Sequence, residues 1–105
     1  MAMKISELAK KQLFPGIQGK FFHTENNTIA FVDLDKDAIL PEHAHFHEQT
    51  TEVIEGQLEF TVNGKTEVLV AGNIKHIPSN IKHSAKALTN CKVKDIFYPV
   101  REDYK

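Results

Sequence analysis

Between Gln57 and Val62 polar and apolar residues alternate one for one, the period of a strand with one face buried and the other wet. Asn63-Gly64 follows directly. Both residues tolerate positive φ, so the pair predicts a tight hairpin returning through Thr66 to Val70. The same period runs from Thr28 to Asp35, ahead of a turn at Asp35, Lys36 and Asp37, and Thr51 to Glu55 predicts a further strand, interrupted by Gly56. Ala71-Gly72-Asn73 and Pro78-Ser79-Asn80 are turns on either side of Ile74 to Ile77. A last strand runs from about Lys92 to Tyr98, and Pro99 ends it. Only Ile5 to Leu13 carries a helical pattern, with Ile5, Leu8, Ala9 and Leu13 on one face, Ser6 as a cap, and Pro15-Gly16 as a stop. Seven to nine short strands and almost no helix predict a barrel or sandwich, all-β, with a short N-terminal helical turn.

A chain of 105 residues suits one domain with one core over residues 1–105. A net charge of -1, with lysines scattered rather than clustered, argues against nucleic acid or an anionic membrane as partner. Cys91 is the sole cysteine, so no disulfide closes within the chain. No stretch approaches the ~18 apolar residues of a membrane helix, and the N-terminus lacks the apolar run of a signal peptide. A cytoplasmic protein with a small-molecule partner is the expectation.

The chemistry concentrates in the histidines. Of six, three lie within residues 41–49: His43, His45 and His47. Imidazole is the commonest protein ligand for transition metals. In an extended strand residues i and i+2 share a face, so His43 and His45 point together. A closing ligand has to come from a distant strand, and His83, just after a proline-containing turn, is the best placed. Gln49 offers a carbonyl oxygen on the first arm. Three nitrogens and one oxygen leave coordination positions open for water or substrate. The same histidines would also suit a solvated loop. His47 is a candidate to orient a ligand from behind, and His23 and His76 are read as rim or wall residues.

His43-x-His45-x3-Gln49-x6-Gly56 and Gly72-x5-Pro78-x-Asn80-x2-His83 resemble, in order, the two motifs of the cupin family. Gln49 replaces the more usual glutamate, and Asn80 a glycine whose left-handed backbone it can adopt. Asp37 and Ala87 also depart from the motif ends. Residues 15–20, 27–32, 41–49, 77–85 and 95–104 resemble, more narrowly, the single-domain cupins of the pectin-degradation type, some of which linearise 4,5-unsaturated monouronates. That resemblance implies a double-stranded β-helix (a jelly-roll barrel), often dimeric, so a homodimer is expected here. It implies one divalent transition metal ion (zinc, nickel, iron or manganese) held by His43, His45, Gln49 and His83. It also implies Asp95 as the proton-transfer residue and Arg101 as the group that binds a sugar-acid substrate. Alternation puts Asp95 on the same face as Val93, toward the interior; a structural pairing of Asp95 with Lys92 or Lys94 is the competing assignment. A metal-dependent dioxygenase and a non-catalytic sugar-binding or sensing module are the alternative functions, because a fold does not fix a reaction.

Overall fold

The computed structural model describes residues 2–105. Ten strands follow one another: β1 (Lys10–Phe14), β2 (Ile17–His23), β3 (Thr28–Leu34), β4 (Ile39–His43), β5 (Glu48–Glu55), β6 (Gln57–Val62), β7 (Lys65–Val70), β8 (Ile74–Ile77), β9 (His83–Ala87) and β10 (Cys91–Tyr98). They form a six-stranded sheet in the order β1-β2-β3-β10-β5-β8 and a four-stranded sheet in the order β4-β9-β6-β7. Every pairing is antiparallel, and the chain crosses repeatedly between sheets, as in a jelly roll. The radius of gyration, 13.0 Å, is that of a domain of this length folded around one core.

The helical pattern expected over Ile5 to Leu13 reduces to a 3-10 turn at Ile5–Glu7, and Leu13 lies in strand β1. β1 is an edge strand with almost no buried side chain, so burial imposes no two-residue alternation there. Elsewhere alternation and structure agree. Ile17, Phe21, Ala30, Val32, Leu34, Val53, Val93 and Phe97 face inward from the large sheet, and Leu58, Phe60, Ala85 and Ala87 answer from the small one. Asn63 (φ 50°) and Gly64 (φ 79°) make the expected hairpin turn, and Asn80 (φ 65°) adopts the left-handed backbone its motif requires.

Cross-strand register sets up the site. On the inner face of the large sheet, Val32, Val93 and Val53 form one apolar row. The next row is Ala30, Asp95 and Thr51, and the one after is Thr28, Phe97 and Gln49. One end of the interior is therefore hydrocarbon, and the other carries hydroxyl, amide and carboxyl groups. Among the described residues no helix is long and apolar enough to cross a membrane.

Candidate metal centre

The polar end of the large sheet meets the histidines of the small one. His43 ends β4 and His83 begins β9, and the two residues pair across that ladder. Their ring centroids lie 4.2 Å apart. His45 comes two residues past His43, beyond the end of β4, so a shared strand face is not what aims it. Its Nδ1 is instead tied to the backbone carbonyl of His47 at 2.9 Å, which turns the ring to 4.9 Å from that of His83. One nitrogen from each of the three rings lies within 4.8 Å of the other two.

The hydrogen bonds fix which nitrogen each ring offers. Nδ1 of His43 meets Pro41 O at 2.7 Å, and Nδ1 of His83 meets Ile81 O at 2.8 Å. A carbonyl only accepts, so Nδ1 carries the proton in all three rings and Nε2 presents a lone pair. His83 Nε2 is buried without any hydrogen-bond partner, an expensive arrangement unless something else meets it. His45 Nε2 lies 3.1 Å from Gln49 Oε1. Both atoms offer lone pairs, so they do not bond each other; two such atoms converge where a cation joins them. Burial, the largest cause, pushes His83 down to about 4 and lowers His45 as well, which keeps the rings neutral, the form that binds metal. The donors fit a divalent ion of the zinc, nickel, iron or manganese type.

Asp95 points inward with Val93 and Phe97. Thr51 Oγ1 donates to its Oδ1 at 2.7 Å, and Gln49 Nε2 does so at 3.3 Å. Burial pushes its carboxyl up to about 6, against the opposing hydrogen bonds from Thr51 and Gln49 and the charge of Arg101. Lys92 turns instead to Asp33 at 3.3 Å, on the outer face. Arg101 is only 7% exposed. Its guanidinium lies over the rings of Phe97 (4.8 Å) and Tyr104 (4.2 Å). It makes a two-pronged pairing within the chain: Nε and Nη2 donate to Asp103 at 3.0 and 2.8 Å.

His43, His45, Gln49, Thr51, Asp95 and Arg101 line one cavity of about 60 Å³. The rest of its lining is largely apolar and includes Leu13, Phe14, Leu40 and Phe60. The remaining histidines stay outside the cluster. His23 bonds Thr28 at 2.8 Å, and His76 lies 3.9 Å from Glu48 in an exposed pair. His47 holds the His45 ring through its backbone carbonyl rather than through its own ring. Thr51 and Asp103 were not singled out from the sequence. Thr51 stands two residues after Gln49 on one strand and was findable by alternation; Asp103 reaches Arg101 only because a 3-10 turn forms at Glu102–Tyr104.

The family model of the cupin domain matches residues 30–97. Among solved structures, KdgF from Halomonas sp. is 31% identical, with 95% of this chain and 94% of that one covered at a TM-score of 0.89. An RmlC-like cupin from Shewanella frigidimarina NCIMB 400 is 28% identical, with 95% and 91% covered at a TM-score of 0.90. Oxalate decarboxylase from Bacillus subtilis, 18% identical over 92% of this chain and 29% of its own, shares the fold alone (TM-score 0.81). No curated protein matches the chain. With two thirds of its length matched by the family model and both histidine motifs converging inside the barrel, the chain belongs to the cupin family.

Proposed function

We propose that the protein is a metal-dependent enzyme of small sugar acids, converting 4,5-unsaturated monouronates from pectin or alginate breakdown to linear, ketonised forms. The observation that carries this reading is Asp95, hydrogen-bonded to the ligand Gln49 in the cavity whose wall also holds Arg101. The likeness to KdgF, at 31% identity over nearly both chains, supports it. So does size. At roughly 10–15 Å³ of such space per water, the cavity holds about four to six waters, the scale of one sugar ring rather than an oligosaccharide.

A cation held by His43, His45, Gln49 and His83 would supply Lewis acidity toward substrate oxygens. Linearisation removes the proton of the anomeric hydroxyl and breaks the bond from the anomeric carbon to the ring oxygen. The resulting enolate then takes a proton on carbon. A carboxyl held near 6 gives and accepts protons readily at neutral pH, as a shuttle between those two atoms must. Both hydrogen bonds to Asp95 end on Oδ1, so Oδ2 is the atom assigned to the transfer. Arg101 holds the substrate carboxylate through its Nη1/Nη2 edge while Asp103 fixes the other side of the fork.

The test is the ultraviolet band of an unsaturated monouronate. Metal-loaded protein is expected to speed its loss, and Asp95→Asn to abolish the acceleration. No acceleration over buffer with zinc, nickel, iron or manganese overturns the proposal. The apolar share of the cavity lining favours a second reading, oxygen-dependent cleavage of an aromatic acid. Oxygen uptake by iron-loaded protein with phenolic acids supports that reading, and a flat electrode trace removes it.

A further inference from the structure

We propose that Thr51 is a positioning residue of the metal centre: its hydroxyl decides which end of the Gln49 amide meets the ion and which oxygen of Asp95 is held. The proposal rests on the metal-centre reading and extends it to a residue outside the ligand set.

Thr51 is 0% exposed. It stands two residues after Gln49 on β5, on the same face, and directly opposite Asp95 on β10. Its hydroxyl touches both side chains: Gln49 Nε2 at 2.9 Å and Asp95 Oδ1 at 2.7 Å. The roles are not interchangeable. An amide NH2 group only donates, so Thr51 Oγ1 must accept from Gln49. An ionised carboxylate only accepts, and 2.7 Å is a normal length for a hydroxyl donor, so the single hydroxyl hydrogen goes to Asp95. With its nitrogen held by Thr51 and Asp95, the amide must turn Oε1 the other way, toward His45 Nε2. Without the hydroxyl only the longer 3.3 Å contact to Asp95 holds the nitrogen, so the two ends of the Gln49 amide are less firmly sorted, and only the oxygen end can meet an ion. Thr51 and Gln49 are both buried, and an unmatched donor there is costly.

Cobalt(II) titration of the full chain, followed by its visible absorption bands, tests this without reference to any substrate. Thr51→Val keeps the branched shape and removes the hydroxyl. It is expected to weaken cobalt binding by about 10- to 100-fold, the usual effect of losing a partner that orients a ligand. Thr51→Ser keeps the hydroxyl and is expected to bind like the wild type. Unchanged affinity in Thr51→Val overturns the proposal. So does equal weakening in Thr51→Ser, which would assign the effect to methyl packing; where valine disturbs folding, Thr51→Ala, which also lacks the hydroxyl, is compared with Thr51→Ser, and equal affinity of the two overturns the proposal. A wild-type chain that binds no cobalt overturns the metal centre itself, a failure distinct from the other two.

Discussion

His43 and His83 face each other across the β4–β9 ladder, each with Nδ1 bound to the carbonyl two residues before it, Pro41 and Ile81. The repetition has a consequence. Two rings from separated parts of the chain are locked in the same tautomer, with the lone pair of Nε2 turned inward, before any ion arrives. Preorganisation of this kind lowers the entropy cost of binding. A nitrogen buried without a hydrogen-bond partner, as Nε2 of His83 is, carries a cost that contact with an ion would offset.

That cost should appear as stability gained on metal addition. An ion at 100 times its dissociation constant stabilises the folded state by about 2.7 kcal/mol, or roughly 10–20 °C in Tm for a domain of this size. Differential scanning calorimetry with and without zinc should show this rise, and a chelator should reverse it. A midpoint indifferent to metal would contradict it.

Acid should act on the metal-free protein through two opposed groups. His83 has its pKa lowered from 6.5 to about 4 by burial. Between those values the unfolded chain binds the proton and the folded chain does not, so stability present above pH 6.5 is lost as pH falls toward 4, on the order of 3 kcal/mol. Asp95 is raised from 3.8 to about 6. Its contribution is complete below 3.8 and is lost as pH rises through 6, so acidification favours folding at this group. Asp95→Asn removes the opposing contribution. Urea midpoints measured with chelator present should fall more steeply between pH 6.5 and 4 in this variant than in the wild type, and parallel slopes would refute the assignment.

Arg101→Lys keeps the charge and loses the planar fork that Asp103 holds on one side. The expected outcome is a KM for unsaturated uronate raised by roughly tenfold or more, with metal affinity unchanged. An unaltered KM would remove Arg101 from substrate binding.

Two glycines should separate clearly in stability. At Gly56 (φ 96°) a Cβ would lie 2.3 Å from the Asn90 carbonyl oxygen, whereas at Gly64 (φ 79°) it would meet nothing within 4 Å. Gly64→Ala should cost only the left-handed backbone, about 1 kcal/mol. Gly56→Ala adds a backbone clash and should exceed roughly 3 kcal/mol in chemical denaturation. Equal costs would contradict this.

The hairpin at Asn63-Gly64, the strands with one buried face, and the two histidine motifs were legible because each rests on a local rule. β1 and β4 were not legible. Both are sheet edges with little burial, so neither carries the two-residue period. The spacing of Leu8 and Leu13 then suggested a helix that no packing partner sustains. Within the site the three histidines that converge could be read from residue type and motif, but the cause of their convergence could not. His45 leaves its strand and is aimed by a carbonyl. Arg101 is held by a partner two residues away, which only the closing 3-10 turn brings within reach.

The most direct measurement is the nitrogen-15 spectrum of labelled histidine during zinc titration. The account predicts that the Nε2 resonances of His43, His45 and His83 move together and saturate at one ion per chain, while those of His23, His47 and His76 stay in place. It also predicts that His83→Ala abolishes the saturable change at the other two. Binding that shifts His76 or His23 instead, or that leaves His83 unmoved, would contradict a centre assembled from both sheets.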